Sequence, residues 1–586
     1  MRKVFGLFSL LSALLLVACG GGGSKNDYTP PPSAKFTFTT ADSSLTGYPG
    51  GQSVSTNVSV TRNGTTGPLA LTVSGVPTGA TAQTSGPGTT DSGSVTITPG
   101  TAAAGTYNLS VSLSDGQTSR VQVLKLVVGV SAVVGSATTG KLDLYMSTSF
   151  QPGDWNYQFF NNFPNAVTPL NDLGSQHINL QPVYGGVPQK TSTTWDFSMV
   201  DSVVNPVLNA TDHSPLFQIA VAPSFMNDAN GHLLPANFSQ FADYSANLVK
   251  YYNTGGFTAV DGHHASTSAF PITYWGIFNE PNIQNLTPSE YTQLYNLTVP
   301  AMQAVDPTIK FVAIELSDWG SENTRYLPTF VNNVTAKVDV MATHFYSSCN
   351  QRDTDKQLFD IVPDFANRVS YLYAVMSPNP ALANVPVWIT ENNVNADWDK
   401  GGGISVCNNT PFVLDTRGSS PYFTAWRPYM FSQMGKVGAK ALYNWVFAGD
   451  AQYGEMNDQT GKPRLGYWVD HALAHYFPSP PGADLLQVSG TDDTEIETLA
   501  AKNPDGSVVI MVANRALANP TDNNGAGSPR TVALDIHQIS NGTQAKLLTI
   551  DGTTDVNNGP SESTILIGPT VQLNFNGYGV AFLTLQ

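Results

Sequence analysis

Between Leu142 and Phe477 the sequence repeats one pattern eight times: a short apolar run followed by a longer amphipathic stretch. The apolar runs are Leu142–Ser149, Ile178–Tyr184, Leu216–Ala222, Tyr274–Glu280, Ile309–Glu315, Val338–Tyr346, Val385–Glu391 and Ala441–Phe447. Their length and their β-branched and aromatic residues suit buried strands. The stretches between them have helical character, among them Trp195–Leu208, Phe238–Tyr252, Pro288–Ala304, Phe359–Met376, Tyr422–Val437 and Leu465–Phe477. In the second of these, Phe238, Tyr244, Leu248 and Tyr251 form one apolar stripe, with Asp243 and Lys250 off it. Eight strand–helix units in a row predict an α/β fold, a (β/α)8 TIM barrel rather than an open sheet. No glycine-rich dinucleotide fingerprint follows the first run, which removes the commonest open-sheet alternative.

Strand-rich sequence flanks this region on both sides. From about Ala34 to Val130 the chain is rich in Thr, Ser, Gly and Val, and alternating runs are separated by Gly/Pro turns. Val54–Val60, Leu69–Val73, Ser94–Thr98 and Tyr107–Leu113 are such runs, the signature of a β-sandwich. The stretch from Val73 through Pro77-Thr-Gly79 to Gly105-Thr-Tyr107 resembles bacterial immunoglobulin-like modules, which implies a spacer, with sugar binding as the alternative. After Pro478-Ser-Pro-Pro481 strands return at Glu495–Ala500, Val508–Asn514, Thr531–Leu534, Leu547–Ile550, Val571–Asn576 and Val580–Leu585. They read as a second β-sandwich beside the barrel, to which residues before Leu142 could contribute. The expected division is a signal over 1–19, a linker over 20–33, an immunoglobulin-like sandwich over 34–135, the barrel over 136–478 and a C-terminal sandwich over 479–586.

The first residues read as an export signal: Arg2 and Lys3, an apolar run from Val4 to Val17, then Ala18 and Cys19. That run is too short for a comfortable membrane span. Leu16-Val-Ala-Cys19 resembles the bacterial lipobox, which implies lipidation of Cys19 and membrane attachment through the lipid; ordinary signal-peptide cleavage nearby is the alternative. Gly20 after the cysteine resembles the pattern of lipoproteins sent to the outer membrane. Gly20–Ser24 would be a flexible tether and Pro30–Pro32 a stiffer spacer. The net charge of −16 repels nucleic acid and anionic membranes and argues against polyanionic sugars as the main substrate. With Cys19 lipidated, Cys349 and Cys407 are left as an even pair in an oxidising compartment. Each follows a strand carrying a candidate site residue, so a disulfide between them would join two loops; two unrelated thiols are the alternative.

Among the apolar runs that end on a glutamate, the fourth and the seventh stand out. Tyr274-Trp-Gly-Ile-Phe-Asn-Glu280 is cut off by Pro281, and Val385-Pro-Val-Trp-Ile-Thr-Glu391 is followed by Asn392 and Asn393. A carboxylate at the tip of a buried strand is costly unless it is used. In a (β/α)8 barrel both fall at the C-terminal strand ends, where active sites sit. Two such carboxyls are what glycoside hydrolysis requires: a proton donor and a nucleophile or base. The plain alternative is that each favours the dipole of the following helix.

Asn279-Glu280-Pro281 on the fourth strand and Thr390-Glu391 on the seventh resemble clan A of the retaining glycoside hydrolases. Trp275–Asn282, Trp388–Asn392, His344-Phe-Tyr346 and Gly461-Lys-Pro-Arg464 to Tyr467-Trp468 look most like glycoside hydrolase family 39 and its relatives. The likeness spans about Leu142 to Phe477. It implies a retaining glycosidase for a neutral, β-linked glycan, without cofactor or metal, in which Glu280 is the acid/base and Glu391 the nucleophile. Asn279 would bond the sugar 2-hydroxyl, although it could instead serve the backbone. His344 would line the sugar pocket, with a metal role as the alternative, and Tyr346 would orient Glu391. Trp445 would lie under the sugar ring unless it packs in the core; Trp319 and Trp398 could extend that platform. Two departures stand out: an insertion-like segment, Thr258–Phe270 with His263-His264, and no arginine at the end of the second strand. A sugar-binding protein on an inactive barrel and a tethered adhesin are the competing classes.

Overall fold

The computed structural model describes residues 35–49, 51–152, 157–317, 321–490 and 494–585. The export signal with Cys19, the tether after it and Trp319 lie outside the described residues.

Eight parallel strands form a closed barrel: β1 (Tyr145–Phe150), β2 (Asn179–Leu180), β3 (Leu216–Ile219), β4 (Tyr274–Ile277), β5 (Lys310–Leu316), β6 (Val340–Ser348), β7 (Val387–Asn395) and β8 (Ala441–Asn444). Each overlaps one of the apolar runs, and β8 closes onto β1 from Ala441 with Tyr145 to Asn444 with Thr148. Side chains on alternate positions fill the interior. The lowest layer is apolar, with Leu216, Tyr274, Val312, Val340, Trp388 and Tyr443 in one cluster. Two residues further along their strands, Asn179, Gln218 and Gly276 make the next layer polar or small; the Asn179 amide donates to Gln218 Oε1 and to the Thr390 carbonyl. An apolar floor thus supports a polar layer, and the strand ends above it carry the chemistry.

Helices surround the barrel close to the expected ranges. Helix Pro288–Gln303 begins at Thr287, whose hydroxyl accepts from the Glu290 N–H while the Glu290 carboxylate accepts from the Thr287 N–H. This start fixes Tyr291 so that its hydroxyl donates to the Ile277 carbonyl and accepts from the Ile314 N–H, tying β4 to β5. The insertion-like segment forms a small antiparallel hairpin, Phe257–Ala259 with Gly262–His264. Asp261 at its turn pairs with His264 and accepts from the Trp195 N–H, and His263 Nδ1 lies 3.2 Å from Thr258 Oγ1 across the hairpin.

Before the barrel, a four-stranded and a five-stranded sheet share one core that includes Phe36, Val58, Val95, Ile97, Leu109, Val111, Leu124 and Leu126. Strand Val54–Arg62 shows why: its residues alternate buried and exposed with period two.

After the barrel lies one nine-stranded sheet, and Val130–Leu142 is one of its inner strands. That strand pairs antiparallel with Ala483–Ser489 and parallel with Arg530–Asp535. The division drawn at 135/136 therefore falls inside a strand of this sheet. Strand Val508–Asn514 is buried on both sides: Val509, Met511 and Ala513 join the barrel's core, and Val508, Ile510 and Val512 join the sheet's own. A central strand so placed needs apolar residues on both faces, hence its unbroken apolar sequence.

The sheet also braces the rim of the barrel. The backbone N–H groups of Asn524 and Gly525 donate to the buried Asp355, just beyond β6, and Asn523 donates to the Gln351 and Asp353 carbonyls. Nearby, Cys349 and Cys407 form a disulfide with Cα atoms 5.8 Å apart, joining the segments after β6 and β7. Asp397 in the second segment accepts from Ser405 Oγ and the Cys407 N–H, and its carbonyl accepts from the Tyr453 hydroxyl. The bond closes a loop of 58 residues. Replacing both cysteines by serine is expected to lower stability by about 4 kcal/mol or less on the chain-entropy model. Urea midpoints of oxidised wild type and variant check this; equal midpoints would mean the crosslink adds nothing.

Candidate active site

Strand β4 ends at Ile277, and the backbone turns before Glu280. Phe278 and Glu280 have φ of 67° and 44°, and Pro281 then prevents further pairing. The turn is anchored, because the Asn279 N–H donates to the Ala220 carbonyl and the Glu280 N–H to the Glu315 carbonyl. Glu280 is therefore carried just beyond the strand, leaning over the barrel mouth. Glu391 lies within β7, whose whole length is buried. A register shift between β6 and β7 sets His344 opposite Glu391.

The side chains converge. Carboxylate oxygens of Glu280 and Glu391 and a ring nitrogen of His344 all lie within 4.8 Å of one another. Tyr346 Oη donates to Glu391 Oε2 at 2.7 Å, and Gln181 Nε2 donates to Glu391 Oε1 at 2.7 Å. His344 Nδ1 is 2.8 Å from Glu280 Oε1 and 3.4 Å from Glu391 Oε2, and its Nε2 is 3.3 Å from Glu315 Oε2. The side chains of Glu280 and Glu391 keep 16 % and 7 % of their surface exposed, whereas those of His344 and Glu315 keep none. The two reacting candidates thus open to the mouth, and the other two lie beneath. Glu280, His344 and Glu391 are also the atoms a cation could share, but 2.8 Å is a hydrogen-bond distance between an imidazole and a carboxylate.

The electrostatics follow from burial. Removal from water raises the Glu391 carboxyl to about 7; the His344 charge works against this and the Glu280 charge adds to it, while Gln181 and Tyr346 favour the anion. Burial opposes a charge on His344, yet Glu391, Glu280 and Glu315 together outweigh it and raise the imidazole well above its ordinary range. Burial and the Glu391 charge hold the Tyr346 phenol well above 10, so it stays a donor.

The other candidate side chains have different surroundings. Both ring nitrogens of His344 face carboxylates, so it supports the two glutamates from below and offers no nitrogen to a sugar. Asn279 Oδ1 accepts from Gln218 Nε2 at 2.9 Å, which leaves its N–H2 group to donate to a ligand. Trp445 packs with Val446, Tyr453 and Tyr346, next to the tyrosine that holds Glu391. Trp398 is 38 % exposed beyond β7.

Three neighbours of the candidate site were missed from the sequence. Gln181 directly follows β2 and bonds Glu391, at the strand end where the family resemblance led one to look for an arginine; a neutral amide carried no signal. Gln218 orients Asn279 from β3. Glu315 ends an apolar run just as Glu280 and Glu391 do, so the rule that found those two applies to it equally. Its backbone is unusual: Ile314 and Glu315 have φ of 80° and 41°. A β-branched residue at such an angle is rare, and each position costs on the order of 1–3 kcal/mol.

Residues 253–443 match the family described as Glycosyl hydrolase catalytic core. No curated protein matches the chain. Among solved structures, a monomeric β-xylosidase from Caulobacter crescentus CB15 is similar at 15% identity and a TM-score of 0.54, over 78% of this chain and 99% of that one. The GH39 enzyme of Xanthomonas axonopodis pv. citri is similar at 15% identity and 0.53, over 78% and 97%. An α-L-arabinofuranosidase from Thermotoga maritima follows at 12% and 0.53, over 78% and 99%. At these identities the likeness is one of fold. The matched region, which holds both Glu280 and Glu391, carries a glycosyl hydrolase catalytic core.

Proposed function

We propose that this protein is a retaining clan A glycosidase that cleaves a neutral, β-linked glycan by double displacement. The observation that carries the reading is the separation of the two carboxylates. Oxygens of Glu280 and Glu391 come within 4.8 Å of each other. Retaining enzymes need roughly 5–5.5 Å between the carboxyl groups, whereas inverting ones need about 6.5–9.5 Å to admit a water. Names among the structural neighbours, a β-xylosidase and an α-L-arabinofuranosidase, support a neutral sugar.

The roles follow from the surroundings. Glu391 has a donor fixed on each oxygen, so its carboxylate is held ready to attack the anomeric carbon. The glycosidic C–O bond breaks as it does so, and Glu280 passes its proton to the leaving oxygen. In the second step the Glu280 carboxylate takes a proton from water, whose oxygen attacks the same carbon and releases Glu391. Asn279 would donate to a sugar hydroxyl, and Trp445 would lie against the ring.

The rest of the chain fits a surface role. Lipidation at Cys19 would anchor the protein in the outer membrane, and the N-terminal sheets, read as an immunoglobulin-like spacer, would hold the barrel away from it. Aryl glycosides and neutral polysaccharides screened with the wild type, and with Glu391→Gln as control, test the proposal. Hydrolysis by wild type and none by the control is expected. Binding without hydrolysis by either would favour a sugar-binding protein.

A further inference from the structure

We propose that Glu315 is a positioning residue, a third and fully buried carboxylate that holds His344 as an imidazolium wedged between Glu280 and Glu391. This rests on the double-displacement reading, in which the reacting pair must hold one proton in total. Glu315 Oε2 accepts from Thr390 Oγ1 at 2.8 Å and faces His344 Nε2 at 3.3 Å. The opposite ring nitrogen reaches both Glu280 and Glu391. One imidazole is thus enclosed by three carboxylates, and among the described residues no lysine or arginine forms an ion pair with any of them.

The chain is shaped around this arrangement. Positive φ at Ile314 and Glu315, with a register shift between Ala313 and Leu316, turns the carboxylate inward at the end of β5. The Tyr291 hydroxyl receives the Ile314 N–H inside that shift. Gly276 on β4 leaves the space, since a Cβ there would meet Glu315 Oε1 at 2.7 Å. The Glu315 charge is felt by the buried phenols of Tyr291, on helix Pro288–Gln303, and Tyr443, on β8. Both phenols are held well above 10 by burial and stay neutral, so the cation able to balance Glu315 is His344.

The working cluster then contains two protons among four groups: one on His344 and one on the glutamate pair. Loss of the pair's proton sets a falling limb of kcat/KM. Glu315→Gln keeps an acceptor for Thr390 but removes a fixed negative charge. Every group in the cluster then gives up its proton more readily. The falling limb should move down by about one pH unit, so the variant loses roughly tenfold more activity above the wild-type limb than below it.

Two measurements decide the matter. Nitrogen-15 NMR of imidazole-labelled protein, with His344 assigned through His344→Gln, should show an imidazolium in wild type from pH 5 to 8. In Glu315→Gln its titration should enter that range. A neutral His344 in wild type at pH 6.5 would overturn the proposal. So would an equal loss of activity at every pH in Glu315→Gln, which is what a merely structural glutamate predicts. If that variant does not fold, the wild-type titration alone decides. The NMR readout needs no turnover, so a failed activity screen would leave this test intact.

Discussion

Glu391→Ala is expected to abolish turnover on every glycoside, with kcat reduced on the order of 10^4-fold or more. Leaving-group ability should not rescue it, because no covalent intermediate forms without the carboxylate. Gln181 and Tyr346, which donate to its two oxygens, lose their acceptor and surround a small vacated space. A small anion such as azide can enter there and attack the anomeric carbon from the side Glu391 occupied. That reaction is a single displacement, so the product is a glycosyl azide of inverted configuration. NMR of the product settles it. A rescued product of retained configuration would mean that Glu391 is not the nucleophile.

What the sequence made legible was the part governed by local periodicity. The apolar runs located all eight barrel strands, because a strand buried on both faces leaves a compact signal. The ends were less legible: Glu280 was read as the last residue of its strand, but the backbone leaves β4 at Ile277 and turns through two residues of positive φ. Such a turn is set by bonds to Ala220 and Glu315, on neighbouring strands, and no pattern within Tyr274–Pro281 encodes it. The same holds for Val130–Leu142, whose partners Ala483–Ser489 and Arg530–Asp535 lie hundreds of residues away, so the sequence showed that residues before Leu142 could join the later sheet but not where they pair. His344 was read as a candidate site residue, but its surroundings were not legible. Two residues apart on β6, His344 and Tyr346 share a face, yet only the packed barrel shows that one is enclosed by carboxylates and the other donates to one. Gln181 and Gln218 are neutral amides at strand ends, ordinary in sequence and specific only in place. Glu315 is different: it ended an apolar run, and the rule applied to its two counterparts would have found it.

Glu280→Ala should divide substrates by leaving group. Where the leaving group is a sugar hydroxyl, departure needs a proton, and losing the donor should cost about 10^2–10^4-fold in kcat/KM. A dinitrophenyl glycoside leaves as a stable anion, so its first step should survive nearly intact. Its second step should not, because water must now attack without a base, and the glycosyl group accumulates on Glu391. The expected kinetics are a burst of dinitrophenol followed by slow turnover, with a low KM that reflects the trapped intermediate. Azide needs no base. It should restore turnover of the activated substrate and give a product of retained configuration, the opposite of the Glu391→Ala result. The structure supplies the reason for the asymmetry: Glu280 lies in the turn beyond β4, nearer the mouth, while Glu391 is fixed within β7 between two donors. An inverted product from Glu280→Ala with azide, and a retained one from Glu391→Ala, would exchange the two roles while leaving the pair itself in place.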